Sequence, residues 1–313
     1  MIETDRLTKR YGHLLAVDEL SFTVSQGEVL GFLGPNGAGK STTMKMLSGF
    51  LSPTSGSARI CGFDVESQSV EAKRQIGYLP EGAPSYGEMT ARNFLDFIAD
   101  VRELRGPHKT KRLEEVVNRL HLEPVLDQPI DNLSKGYKRR VGLAQAIVHD
   151  PRVLILDEPT DGLDPNQKHE VRSLIREMAE DKIIVISTHI LEEVHAVCNR
   201  AIIIANGRIL ADDTPASLEA RSNRHNAVTI RITGTAAGEA QSALQSLADV
   251  DRVEVGPEQT ITVLPRQGES LLPAVGRLAL ERGWKIDELQ LERGQLDQVF
   301  RQITTAGDEE ART

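Results

Sequence analysis

The chain has 313 residues and a formal net charge of -9 at pH 7, and its length predicts one large domain followed by a smaller one. The negative charge argues against nonspecific nucleic-acid binding, which requires concentrated Lys and Arg, so we expect no nucleic-acid partner. The two cysteines, Cys61 and Cys198, lie outside any C-x-x-C motif or His-rich cluster, so the sequence predicts neither a disulfide framework nor a zinc site.

The first informative segment is Gly34 to Ser41, G-P-N-G-A-G-K-S, which matches the phosphate-binding loop pattern G-x-x-x-x-G-K-[ST]. The apolar run before it, Glu28 to Leu33, has strand character, and helical spacing follows it, which disfavours an ordinary Gly-rich turn. Backbone N–H groups from Gly37 to Lys40 would then converge at a helix N-terminus and attract anionic oxygens. We predict a bound nucleotide, with Lys40 between the β- and γ-phosphates and Ser41 in a Mg²⁺ shell.

The middle of the chain is predicted to be helical. The run R-N-F-L-D-F-I-A-D-V-R-E-L-R indicates an amphipathic helix, and a further helix is expected from Lys111 to Leu122. Gly82 to Thr90 has the Gly and Pro content of a loop and directly follows Glu81. The basic run K-R-R at 138–140 is expected on a solvated helix face or against a partner. The apolar face of the first helix consists of Phe94, Phe97, Ile98 and Val101.

Two later strands are predicted to end in reactive side chains. Val153 to Thr160, V-L-I-L-D-E-P-T, begins like a buried parallel strand and carries two carboxylates after its apolar residues. Ligands bind at the carboxyl ends of strands in open α/β sheets, so we expect Asp157 in a Mg²⁺ shell and Glu158 facing an attacking water. A further strand, K-I-I-V-I-S, ends in Thr188 and His189, which places an imidazole at the same edge.

The sequence changes character from about Asn226. Strictly alternating runs such as V-T-I-R-I-T are interspersed with helical stretches near 241–248 and 271–281. This pattern predicts a small α+β domain at 226–304, of ferredoxin-like type and without a phosphate loop or catalytic cluster, and then a disordered tail at 305–313. A dimerisation or regulatory role and simple stabilisation both remain open for this domain.

Together with L-S-K-G-Y at Leu133 to Tyr137, these segments resemble the ATP-binding subunit of ABC transporters over about Ile2 to Leu218. The resemblance implies an α/β fold, a P-loop NTPase domain of the ABC type at 1–222. It also implies a helical subdomain at about 82–150 within that domain and the small α+β domain after it. The tail is similar to the C-terminal extension of ATPases that pair with ABC-2-type permeases, including gliding-motility and drug-export subunits.

The resemblance also assigns roles to residues. It implies catalytic functions for Glu158, His189 and Lys40, with His189 as the switch histidine, and a Mg²⁺ site made by Ser41, Asp157 and Glu81. Tyr11 occupies the position that stacks on adenine in this family. The expected cofactors are ATP and Mg²⁺. The expected nucleotide-binding residues are Tyr11, Gly34, Pro35, Asn36, Gly37, Ala38, Gly39, Lys40, Ser41, Thr42, Ser134 and Gly136.

The chain departs from the family pattern at three positions. Glu81 stands where the family usually has a glutamine, and its carboxylate can ligate Mg²⁺ but cannot donate an amide N–H to a water. Lys135 replaces the first glycine of the signature and Tyr137 replaces its glutamine. Ser134 and Gly136, the residues expected to meet the γ-phosphate, are retained.

The resemblance implies an ATP-hydrolysing subunit that works as a homodimer and drives an ABC-2-type membrane exporter. No apolar run is long enough to span a membrane, and M-I-E-T-D-R lacks a signal-peptide core, so we expect a cytoplasmic chain held at the inner face of the membrane by a permease. One alternative is a soluble ATPase of DNA repair or translation, although the long coiled-coil insertion or second motor domain typical of that class is not found. Another is a nonhydrolysing regulatory module, which Glu158 and His189 disfavour.

Overall fold

Contacts between residues divide the chain into two units, Met1–Asp212 and Asp213–Thr313. The division lies ahead of the predicted boundary at 222. In the described part of the chain, none of the helices combines the length and the apolar character needed to span a bilayer. The computed structural model describes residues 1–83, 85–233, 236–257, 260–266 and 269–310, with side chains described as far as 304.

The strands of the first unit form two sheets. One is antiparallel, with the order β2-β1-β4-β5, and the other has the order β10-β9-β3-β8-β7-β6, in which the strands from β9 to β6 run parallel. These strands are β1 (Ile2–Tyr11), β2 (Leu14–Val24), β3 (Val29–Leu33), β4 (Ser55–Ile60), β5 (Phe63–Asp64), β6 (Ile76–Leu79), β7 (Val153–Asp157), β8 (Ile183–Thr188), β9 (Arg200–Ala205) and β10 (Arg208–Asp213).

The parallel sheet is covered on both faces, which explains its apolar sequences. Every residue of β3, β7 and β8 is buried. Successive side chains of a strand point to opposite faces, and those of β7 enter two different cores. Val153 and Ile155 join a core shared with the antiparallel sheet, whereas Leu154 and Leu156 pack in a core formed with the helices.

The helices of the first unit follow the predicted order, with one displaced start. The amphipathic segment forms α3, and the Thr90 hydroxyl caps it by accepting from the N–H of Asn93 at 3.2 Å. The next helix begins at Gly106 and not at Lys111, because Pro107 in its first turn fixes φ and needs no N–H partner there. The helices are α1 (Lys40–Leu47), α2 (Ser69–Arg74), α3 (Ala91–Val101), α4 (Gly106–Arg119), α5 (Lys135–Ile147), α6 (Pro165–Ala179) and α7 (Leu191–Val197).

The second unit has a sheet of its own with the antiparallel order β12-β13-β11-β14. Its β-α-β-β-α-β sequence of elements is the ferredoxin-like arrangement. The last helix covers part of the segment 305–313 that the sequence predicts to be disordered, and residues 311–313 lie outside the described residues. The elements are α8 (Pro215–Glu219), β11 (Val228–Thr233), α9 (Ala237–Gln245), β12 (Val250–Val255), β13 (Thr260–Pro265), α10 (Leu272–Glu281), β14 (Lys285–Leu291) and α11 (Leu296–Glu310).

Candidate functional site

The loop between β3 and α1 has glycines, which carry no side chain, next to the start of α1. Gly39, the N-cap residue of α1, has a φ of 107°, and a Cβ there would lie 2.6 Å from the carbonyl oxygen of Ala16. Gly37 has a φ of 83°, and only its chain neighbours lie within 4 Å of the position a Cβ would take. The loop therefore leaves space beside Gly37 in front of a helix N-terminus, although the N–H of Ala38 donates to the carbonyl oxygen of Pro35 at 3.2 Å.

Lys40, the first residue of α1, folds back over this loop. Its Nζ donates to the carbonyl oxygens of Gly34 at 2.6 Å and Pro35 at 3.1 Å. Burial lowers the pKa of Lys40, and the negative charges of Glu158, Asp157 and Glu81 act in the opposite direction. The ammonium is thus held in the loop, within electrostatic reach of three carboxylates.

Asp157, at the end of β7, is a buried carboxylate, and only one of its two oxygens accepts hydrogen bonds from the described residues. Its Oδ1 accepts from Ser41 Oγ at 3.3 Å and from Ser187 Oγ. Its Oδ2 is buried and has no hydrogen-bond partner among the described residues. A buried carboxylate oxygen is costly without a partner, and carboxylate and hydroxyl oxygens are preferred ligands of Mg²⁺. The residues present therefore fit a divalent cation beside Ser41 and Asp157.

Glu158 and His189 contact each other directly. Nδ1 of His189 lies 2.8 Å from Oε1 and 2.9 Å from Oε2 of Glu158. An ionised carboxylate can only accept hydrogen bonds, so we assign the proton of this contact to Nδ1. Glu158 has a φ of 54°, a left-handed conformation that is rare outside glycine, and its N–H donates to the carbonyl oxygen of Ser187 at 3.1 Å. The backbone thus leaves the extended conformation of β7 at Glu158.

A cavity of about 350 Å³ lies against the loop, and its size is typical of a small-ligand site. Most of the predicted nucleotide-binding residues line this cavity, and so do Glu81 and Glu158. The same loop also contains Gly34, Pro35 and Ala38. Two further site residues contact residues of the wall: Asp157 hydrogen-bonds to Ser41, and His189 to Glu158. The lining residues are Tyr11, Leu14, Ala16, Asn36, Gly37, Gly39, Lys40, Ser41, Thr42, Glu81 and Glu158.

Ser134 and Gly136 do not line this cavity. Ser134 is the N-cap residue of α5, and its hydroxyl accepts from the N–H of Tyr137 at 3.3 Å. At Gly136, a Cβ would come within 2.5 Å of Oε1 of Gln167. The two signature residues therefore lie at a second helix N-terminus, separate from the loop that precedes α1.

Sequence reasoning missed two residues that hold the site together. Ser187 pairs with Asp157 as described above, and Arg139 is buried beside it. Nη2 of Arg139 donates to the carbonyl oxygens of Asp157 at 3.1 Å and of Glu158, and Nη1 donates to that of Pro80 at 3.3 Å. Burial lowers the pKa of Arg139, against the effect of nearby acids that include Asp157 and Glu158.

The prediction that K-R-R at 138–140 forms a solvated face or a partner contact is wrong for its two arginines. Arg139 and Arg140 are 5% and 8% exposed, because backbone carbonyls and Glu170 supply internal acceptors for their guanidinium groups. Helical spacing offered a signal. Arg139 stands three residues after Gly136 and four before Leu143, so it lies on the buried face of α5.

Comparison with known proteins gives consistent matches. A family model described as ABC transporter matches residues 17–161. The bacitracin transport ATP-binding protein BcrA of Bacillus licheniformis is 33% identical over 309 residues, which cover 98% of each chain. The probable multidrug ABC transporter ATP-binding protein YbhF of Escherichia coli (strain K12) is 37% identical over 223 residues, 71% of this chain and only 38% of that protein.

A solved structure described as the ATP-binding subunit of an ABC transporter has a TM-score of 0.66 to this chain. The two are 31% identical, and the match covers 70% of this chain and 92% of that one. The conserved fold therefore extends beyond the segment that the family model matches.

Proposed function

The chain belongs to the ABC transporter ATP-binding proteins, and we propose that it is the ATP-hydrolysing subunit that energises an ABC-2-type membrane exporter. The observation that carries the proposal is the meeting of Lys40, Ser41, Asp157, Glu158 and His189 at one edge of the parallel sheet. The transport functions in the names of the relatives favour a transporter subunit over the alternative of DNA repair or translation.

In this proposal, ATP occupies the cavity against the loop. Tyr11, an exposed aromatic side chain on the cavity wall, stacks on the adenine. The N–H groups of Gly37, Gly39 and Lys40 and the ammonium of Lys40 bind phosphate oxygens, while the N–H of Ala38 donates to Pro35 within the loop. Ser41, Asp157 and Glu81 hold Mg²⁺, which when bound neutralises charge on the phosphates.

Glu158 orients and deprotonates the attacking water. Glu158 lines the cavity, Ser187 and Arg139 fix its backbone, and Nδ1 of His189 contacts both of its carboxylate oxygens, so the side chain is held in one place. His189 donates a hydrogen bond from Nδ1 to Glu158, and as an imidazolium it also donates from Nε2–H to the γ-phosphate. Loss of that contact after hydrolysis is the signal by which His189 acts as a switch.

A second copy of the chain completes each site. Ser134 and Gly136 lie at the N-terminus of α5 and not in the cavity of their own chain, yet a helix N-terminus with a serine hydroxyl suits a phosphate. We infer a head-to-tail homodimer, in which these two residues of one copy close over the ATP held by the other. Opening of the dimer after hydrolysis then moves the helical subdomain.

The permease docks on an apolar groove of the helical subdomain. The groove has a volume of about 490 Å³ and lies along α3 and the loop before it. Tyr86 packs edge-on against Phe94 and Phe97, with ring centroids 6.2 Å and 5.8 Å apart. Tyr86, Phe97 and Val101 are exposed, and an exposed apolar patch of this kind marks a protein contact. This docking places the chain at the cytoplasmic face of the membrane.

Glu158→Gln should bind ATP normally and hydrolyse it at least about 100-fold more slowly, because it removes the base and keeps the shape. Nucleotide affinity and steady-state phosphate release measure the two effects. Lys40→Ala is the contrasting variant, which should lose affinity because it deletes a charge aimed at the phosphates. Near-normal turnover by Glu158→Gln would contradict the assignment of the base.

Glu81→Gln should raise the Mg²⁺ concentration needed for half-maximal ATPase activity, because it replaces an anionic ligand by a neutral amide. Binding of ATP without metal should change little. Mg²⁺ titrations of the variant and the unchanged protein, with Asp157→Asn as the reference for loss of a buried ligand, give the comparison. Coincident curves for Glu81→Gln and the unchanged protein would refute direct ligation by Glu81.

Specific ATPase activity should rise with protein concentration, because the competent species is a dimer populated by mass action. Ser134→Ala should lower that activity and leave the ATP affinity of the monomer unchanged. A dilution series combined with light scattering measures activity and oligomeric state together. A constant specific activity in a protein that stays monomeric throughout would rule out the shared site.

Val101→Asp should abolish co-purification of a multispan protein from detergent-solubilised membranes, because it places a charge in the groove. Val70→Asp in α2 is the matched control, since Val70 is 62% exposed and Val101 60%. The isolated subunits should hydrolyse ATP equally well. Retention of the membrane protein by Val101→Asp would place the permease contact elsewhere.

A further inference from the structure

Glu193, in the first turn of α7, is a deeply buried carboxylate outside the cavity. It is 4% exposed, and it accepts hydrogen bonds from the hydroxyls of Thr160 and, at 2.8 Å, of Thr188. Both threonines are buried as well. Burial of a carboxylate is unfavourable unless its oxygens are hydrogen-bonded, so these two contacts hold Glu193 in place and are held by it.

The two threonines flank the reactive pair. Thr160 follows Glu158 by two residues, and Thr188 directly precedes His189. Since Nδ1 of His189 lies 2.8 Å from Glu158, the contacts form a closed ring. The Glu158–His189 contact closes the ring on one side, and the bonds of Glu193 to Thr160 and Thr188 close it on the other. Glu193 thus fixes the separation of the two chain segments that carry the pair.

The backbone of Glu158 needs such support. Its left-handed φ of 54° is unfavourable for a residue with a side chain and persists only where the surroundings impose it. Ser187 bonds the N–H of Glu158 and Arg139 bonds its carbonyl oxygen. Thr160 is the next anchor along the chain, and it depends on Glu193.

The surroundings of Glu193 leave no room for a ligand. The cavity that it lines with Thr160, Thr188 and Arg172 has a volume of about 10 Å³, which is at most the space of one water. The Nη1 atom of Arg172 pairs with the neighbouring Glu192 at 3.0 Å. Glu193 therefore acts through its contacts with protein groups.

We propose that Glu193 is a positioning residue of the hydrolytic site, which holds Glu158 and His189 in their reactive arrangement through Thr160 and Thr188. The inference rests on the proposed roles of Glu158 and His189. Substitution of a residue that only stabilised the fold would impair ATP binding and hydrolysis alike. A positioning residue should affect hydrolysis more than ATP binding, because the side chains of Lys40 and Ser41 hydrogen-bond to Gly34, Pro35 and Asp157 and not to residues of the ring.

The first test compares Glu193→Gln with Glu192→Gln. An amide nitrogen cannot accept a hydrogen bond, so Glu193→Gln breaks one bond to a threonine at nearly unchanged shape. We expect kcat to fall about 10- to 100-fold, with the Kd for ATP unchanged within about twofold. Glu192→Gln makes the same chemical change at a side chain that is 77% exposed, and it should leave both values unchanged.

The second test separates the hydroxyl of Thr160 from its shape. Thr160→Val keeps the branched side chain and removes the hydroxyl, whereas Thr160→Ser keeps the hydroxyl. We expect kcat to fall about tenfold in Thr160→Val and to stay near that of the unchanged protein in Thr160→Ser. Equal rates for the two variants, or equal losses of affinity and rate, would overturn the positioning role.

A measurement without nucleotide completes the design. Hydrogen exchange over 157–161 should be faster in Glu193→Gln and Thr160→Val than in Glu192→Gln, because the bond from the N–H of Glu158 to Ser187 is released more often. Unchanged exchange and unchanged kcat in Glu193→Gln, with Glu158→Gln inactive, would overturn this inference alone. Normal hydrolysis by Glu158→Gln would instead overturn the proposed function, whatever the exchange rates.

Discussion

The register of the three central parallel strands fixes the geometry on which the whole site depends. Leu33 of β3 pairs with Thr188 of β8, and Asp157 of β7 pairs with Ser187 of β8. The phosphate loop, Glu158 and His189 therefore leave the sheet at the same level. A one-residue slip of β7 against β8 would exchange the side chains that enter the two cores and would separate Asp157 from Ser187, so packing and this hydrogen bond together specify the register. The reactive side chains meet as a consequence of packing.

At this edge of the sheet the carboxylates outnumber the buried cations. Glu81, Asp157 and Glu158 all act on Lys40 and Arg139, the two buried cations of the site. Both cations give their hydrogen bonds to backbone carbonyls, and one oxygen of Asp157 stays without a partner among the described residues. Three carboxylates would repel a triphosphate. On the proposed assignment, Mg²⁺ would offset the negative charge of both the carboxylates and the triphosphate, which would lower the repulsion between them.

Local patterns in the sequence were enough to predict the secondary-structure elements. They were not enough to predict the side-chain contacts between those elements. Apolar runs predicted the buried strands, and the phosphate-loop pattern with its flanks predicted the loop, because both depend on residues close in sequence. The same holds for the family and the fold class, which the comparisons confirm. Arg139 was placed wrongly because its acceptors, such as the carbonyl of Pro80, come from distant segments. Glu193 went unnoticed for the same reason, and the assigned roles of the site residues stay predictions.

Among the described residues, the hydrophobic core of the second unit has no member in common with the two cores of the first. The core of the second unit is built from its own sheet and helices, between Val228 and Ile286. Two-state unfolding is the behaviour of small single domains, and chains of two domains depart from it. A melting temperature measured with a local probe then describes the unit in which that probe lies. A substitution in the core of one unit therefore lowers the stability of that unit, and a probe in the other unit need not report it.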